Sequence, residues 1–141
     1  MRDQFHDDLA EIGQTLVQLS KLVKTAMSQA STALLTADLA VAEKVIQEDD
    51  VIDNIQHELD AKTIGLMARQ QPVASDLRTL VTSLRMSADL ERMGDLANHI
   101  AKQARMRYPN SAVPPELSLT IQEMGNVCGQ IVDKVSLILQ N

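Results

Sequence analysis

A chain of 141 residues, 45% of them hydrophobic, has the length of one domain and enough apolar content to bury a core. A formal net charge of −6, with one Phe, one Tyr and no Trp, excludes the basic, aromatic-lined surface of a nucleic-acid-binding protein, and the lone Cys128 excludes an internal disulfide and a cysteine-based zinc site. Leu, Ala, Ile, Val and Met carry the apolar content while Gly and Pro are scarce, which favours an all-α fold over a sheet.

The opening residues, MRDQFHDD, lack the apolar core of a secretory signal, and no stretch approaches the roughly 18 apolar residues of a membrane span, so a cytoplasmic protein without direct membrane insertion is expected. Apolar residues Phe5, Leu9, Ile12, Leu16, Leu19, Val23, Met27, Ala30 and Leu34 recur at steps of three and four, the mark of one helix of about thirty residues. Thr36, Ala37 and Asp38 offer a break with capping side chains. Val41, Val45, Ile52, Ile55, Leu59 and Leu66 then trace a second helix ending near Gln70, with Asp49 in the gap of its stripe. Pro72 ends that helix, since proline has no N–H to donate and restricts the residue before it, and Ser75 or Asp76 is placed to open a third.

The third helix runs to about Arg107, and its two halves disagree. Leu77, Val81, Leu84 and Ala88 form a stripe that continues into Glu91 and Asp95, whereas Met86, Leu90, Met93, Ala97 and Ile100 lie on roughly the opposite face. Periodicity therefore leaves the two carboxylates either at a buried seam or facing outward. Residues 109–115, with Pro109, Pro114 and Pro115, form a linker, and a fourth amphipathic stretch follows over 116–141 through Ile121, Met124, Cys128, Ile131, Val135 and Ile138.

Short connections between long helices imply antiparallel neighbours, so residues 1–108 are expected to form an up-down-up bundle of three long helices. The fourth helix either completes a four-helix bundle or opens a second repeat. Glu123-Met124-Gly125-Asn126 resembles Glu11-Ile12-Gly13-Gln14, with Gln130 and Val135 matching Gln18 and Val23 at the same offset of about 112 residues, which favours a truncated second repeat. A helix left so would carry an apolar face in need of a partner from its own bundle or a second chain.

Two pairs of acids carry the sharpest chemistry. Glu91 and Asp95 stand four residues apart in Asp89-Leu90-Glu91-Arg92-Met93-Gly94-Asp95, and Asp49 and Asp53 repeat the spacing on the preceding helix. Each like-charge pair costs its helix roughly 0.2–0.5 kcal/mol unless compensated, so two pairs on adjacent helices invite a shared hard cation; a solvated acidic face is the plainer reading. Asp89, between Arg85 and Arg92, is expected to form a helix-surface ion pair, and Lys102, Arg105 and Arg107 to suit a helix C-terminus. His6, His57 and His99 lack Glu at i−3, which disfavours a ferritin-like di-iron enzyme, and His99 is expected to contact Asp95 at the surface. Gly94 suggests close helix packing or room for a ligand. No Ser-His-Asp order, Gly-rich phosphate loop or cysteine motif appears, so no enzyme is expected.

The run Gln70-Gln71-Pro72-Val73-Ala74-Ser75-Asp76-Leu77-Arg78, followed by the Glu91-Arg92-Met93-Gly94-Asp95 segment, resembles the PhoU family of phosphate-transport accessory proteins over residues 1 to about 108. The resemblance implies a non-enzymatic adaptor that negatively regulates phosphate uptake and the phosphate-starvation response. Its implied partners are the ATPase subunit of a phosphate ABC transporter and a sensor histidine kinase; the unpartnered apolar face of the fourth helix adds the expectation of a homodimer. It also implies metal ligation by Asp49, Asp53, Glu91 and Asp95, with Mg, Mn, Fe or Zn as the ion. Asp76, Arg78 and Arg92 are the candidate partner-facing residues, although Asp76 and Arg78 equally suit the start of the third helix. A metal-carboxylate redox or storage bundle is the alternative function.

Overall fold

The computed structural model describes residues 2–140; positions 1 and 141, the outer bounds of the expected first and last segments, lie outside the described residues. The fold is all-α: α1 (Arg2–Thr36), α2 (Leu39–Gln70), α3 (Ala74–Arg107), a 3-10 turn (Pro115–Leu117) and α4 (Ser118–Gln140). Helices α1, α2 and α3 each touch the other two and alternate in direction.

The three helices share one kind of seam. On α1 it runs Phe5, Leu9, Ile12, Leu16, Leu19, Val23, Ala26, Ala30 and Ala33; on α2, Ala42, Val45, Asp49, Ile52, Gln56, Leu59, Thr63 and Leu66; on α3, Leu80, Ser83, Ser87, Leu90, Gly94, Ala97, Ala101 and Ala104. Steps of three and four alternate without a fault in all three, a mean period of about 3.5 that keeps helices in contact along a left-handed supercoil. The α1 stripe matches the sequence reading closely.

Helix α3 corrects it. Leu77 is 38% exposed and Ala88 is exposed, while Ser83 and Ser87 are buried. The buried face therefore never changes sides. It is a continuous line of small residues that a search for large apolar side chains misses, and it lets α3 approach α1 and α2 closely. A Cβ added at Gly94 would stand 3.3 Å from Ile52 Cγ2 and 3.8 Å from Val23 Cγ2, so Gly94 marks close packing of all three helices.

The junctions follow from local chemistry. Asp38 caps α2, its Oδ1 accepting from the Val41 N–H at 3.1 Å, a bond worth about 1 kcal/mol at such positions. Helix α3 starts one residue ahead of Ser75, with extended Val73 as its cap residue and no side-chain bond; Asp76 sits in the first turn rather than at the cap. The chain has already turned at Gln71, held left-handed at φ 45°, so the helix resumes sooner than a capping side chain suggests.

Helix α4 does not enter the bundle. It packs antiparallel on the outside of α1 and, among the described residues, touches neither α2 nor α3. Ser20 and Ser136 share a hydroxyl hydrogen bond of 2.7 Å, Lys24 pairs with Asp133, and Gly125 lets α4 close on Ser31. Val132 is buried, while Leu117, Met124, Val127, Ile131 and Ile138 remain exposed, Ile138 at 70%. Moving the α1 seam from Phe5 to Ala26 forward by about 112 residues lands on Leu117, Ile121, Met124, Cys128, Ile131, Val135 and Ile138. Thus α4 carries the same apolar pattern with which α1 meets α2 and α3.

Candidate metal centre

Asp49 occupies a seam position of α2, the place where every neighbouring turn offers an apolar or uncharged group, and Asp53 follows one turn later. Across the seam, Gly94 draws α3 against Ile52 and thereby brings the adjacent Asp95 to the same level. One carboxylate oxygen from each of Asp49, Asp53 and Asp95 lies within 4.8 Å of the others, and all three residues are half-buried. Glu91, one turn before Asp95, neighbours both Asp95 and Asp53 closely enough for each to act on its carboxyl. Of the expected four, α2 and α3 thus bring Asp49, Asp53 and Asp95 together, half-buried beside the seam, while Glu91 stands next to Asp95 and Asp53 but outside this group of three.

The electrostatics of this assembly are costly. Burial, followed by the charges of Asp53, Asp95 and Asp50, raises the Asp49 carboxyl from its ordinary 3.8 to about 6, with Lys102 opposing the rise. Burial, then proton-sharing contact and like charge from Asp95 and Asp53, raises Glu91 from 4.5 to about 7. Oδ1 of Asp49 and Oδ1 of Asp53 are buried without a hydrogen-bond partner, while Oδ2 of Asp49 accepts from Asn98 Nδ2 at 3.2 Å. Two buried, unpaired carboxylate oxygens on α2, with the Asp95 carboxylate of α3 close by, suit a hard divalent cation, which takes oxygen ligands and supplies the missing charge.

Other candidates lie apart. Asp76 sits near the bundle end with Phe5, Gln70 and Pro72, about 22 Å from Glu91 along α3 at 1.5 Å per residue. Arg78, Arg92 and His99 are exposed. Asp89 forms no ion pair with Arg85 or Arg92: the ion pairs among the described residues are Lys24–Asp133 and Lys62–Glu11, and exposed long side chains gain little by closing on one another. Sequence reasoning missed Asn98. Its signal was there in the spacing, since positions 91, 95 and 98 share one face of α3.

A model of the PhoU domain matches residues 16–104. The chain belongs to the PhoU domain family. It is 40% identical over 131 residues to the phosphate-specific transport system accessory protein PhoU homolog 2 of Mycobacterium tuberculosis, covering 93% of this chain and 62% of that protein. It is 36% identical over 141 residues to homolog 1 of the same organism, covering 100% of this chain and 64% of the relative. The crystal structure of PhoU from Pseudomonas aeruginosa superposes with a TM-score of 0.85 at 29% identity, over 92% of this chain and 61% of that one. PhoU from Streptococcus pneumoniae gives 0.82, also at 29% identity, over 94% and 61%. The chain therefore spans less than two thirds of the length of these PhoU proteins, and the PhoU-matched residues contain the clustered Asp49, Asp53 and Asp95 together with Glu91 and Asn98.

Proposed function

We propose that this PhoU-domain chain is a non-enzymatic regulatory adaptor of phosphate uptake, a negative regulator of the phosphate-starvation response that docks on the ATPase subunit of a phosphate ABC transporter and on a sensor histidine kinase. The carrying observation is the family match together with relatives that bear the name of phosphate-specific transport system accessory proteins. Among the described residues no helix is long and apolar enough to cross a membrane. The adaptor is proposed to act in the cytoplasm and to reach the membrane through its partners. Asp76, Arg78 and Arg92, all on α3, are its proposed partner-facing groups; Arg78 and Arg92 are exposed and Asp76 is half-buried.

Asp49, Asp53, Glu91 and Asp95 form a cation site of this adaptor, for Mg, Mn, Fe or Zn. When bound, the cation supplies the positive charge that the cluster lacks and links α2 to α3. The grouping of Asp49 and Asp53 on one helix with Asp95 on the other supports this reading, and Glu91 would join them from its place beside Asp95, with Gly94 setting the separation. Helix α4, repeating the α1 seam, opens a second repeat, and its exposed apolar face supports association with a second copy in a homodimer.

Co-purification of the chain with the two partners tests the adaptor reading. Capture of the ATPase subunit or the kinase, weakened by Arg78→Glu with Arg92→Glu, is the expected result; capture of neither by the native chain overturns it. The carboxylate quartet alone favours a second reading, a metal-carboxylate redox or storage bundle. Ferrous protein that is consumed by oxygen with turnover would support that reading, and ferrous protein stable in air would remove it.

A further inference from the structure

We infer that Asn98 is a positioning residue of the carboxylate centre: its side-chain amide fixes the orientation of Asp49 and so sets the affinity of the site for a divalent cation. The inference rests on the cation reading above and adds a residue to it. Asn98 is 8% exposed, beside the seam residue Ala97 and one turn beyond Asp95 on α3. Its Nδ2 donates to Asp49 Oδ2 at 3.2 Å, a hydrogen bond that runs from α3 to α2 at the level of the cluster.

The amide is well suited to this task for three reasons. An amide donor matches an acceptor-only carboxylate, and because Asn98 Oδ1 is buried without a partner, the side chain is held in place by the bond to Asp49 rather than by a competing contact. An amide carries no charge, so it orients Asp49 without adding to the repulsion among Asp49, Asp53 and Asp95. And with Oδ2 held by Asn98, Asp49 keeps Oδ1 free of protein partners, as Asp53 does with its own Oδ1. A neighbour that orients a ligating carboxylate in this way typically changes metal affinity about 10–100-fold when removed.

The test is titration of the metal-free chain with Mn²⁺, following free Mn²⁺ by its paramagnetic resonance signal and the melting temperature in parallel. Asn98→Leu removes the donor at similar volume, and Asn98→Ala replaces it should leucine prevent folding. Ser87→Ala, which removes a buried seam hydroxyl that has no partner, is the packing control. The expected result is a dissociation constant at least about tenfold weaker for the Asn98 variant, with the native value kept by Ser87→Ala. If the native chain and the Asn98 variant bind Mn²⁺ equally while melting temperatures differ, Asn98 is merely structural and the inference fails, leaving the cation site intact. If the native chain binds no Mn²⁺, the cation reading fails and this inference falls with it.

Discussion

Ile52 of α2 fills the space that a side chain at Gly94 of α3 would need, its Cγ2 standing 3.3 Å from where a Cβ would lie. This contact sets how near Asp95 comes to Asp49 and Asp53, so packing and the carboxylate centre depend on the same two residues. Gly94→Val should therefore cost about 1–3 kcal/mol by overpacking, more than the helix gains by losing a glycine. Chemical denaturation measures the loss, and weaker Mn²⁺ binding by the folded fraction is the expected companion.

The raised carboxyls give the metal-free chain a pH dependence of definite sign. Asp49 and Glu91 bind a proton more tightly in the folded chain than in the unfolded one, so the folded state holds more protons between their ordinary values of 3.8 and 4.5 and their raised values of about 6 and about 7. Their contribution is fully present below pH 4 and is lost as the pH rises toward about 7. Urea midpoints measured in chelator from pH 4.5 to 7.5 should fall more steeply for the native chain than for Asp49→Asn with Glu91→Gln. Saturating Mn²⁺ should flatten the native curve.

Ala37 joins α1 to α2 in the left-handed region, at φ 54°. A side chain there costs roughly 1 kcal/mol that glycine does not incur, so Ala37→Gly should raise stability by up to that amount despite glycine's larger unfolded-state entropy. A melting temperature higher by about 2–4 °C is the expected readout.

The exposed face of α4 bears on self-association. Met124→Gln with Ile131→Gln removes apolar surface from that face while leaving buried Val132 and the Ser20–Ser136 contact in place. Sedimentation should then register a weaker dimer. The melting temperature of the three-helix unit should hold, because neither side chain belongs to its core.

How much was legible depended on side-chain size. Helix α1 could be read almost residue for residue because large apolar groups mark its seam. Helix α3 could not, because Ser83, Ser87 and Gly94 hold seam positions that look polar or disruptive until close packing explains them. That Asp49, Asp53 and Asp95 come together was legible from spacing, since both acidic pairs lie on helices that a short turn forces to be antiparallel. Their burial was not, because it depends on the tertiary contact between Gly94 and Ile52. Asn98 was overlooked because an uncharged amide does not stand out among acids, although its spacing from Glu91 and Asp95 puts it on their face, and the Asp89 ion pair was expected from spacing alone where solvent prevails.

The most direct measurement is the cation-dependent melting temperature of the native chain beside a variant carrying Asp49→Asn, Asp53→Asn, Glu91→Gln and Asp95→Asn. In chelator the variant should melt at or above the native chain, since its like-charge repulsion is gone. Mn²⁺ at about 100 times its dissociation constant should stabilise the native chain alone, by about 2.7 kcal/mol. A native chain whose melting temperature ignores Mn²⁺, Mg²⁺, Fe²⁺ and Zn²⁺, or a variant that responds equally, would contradict the carboxylate cation site.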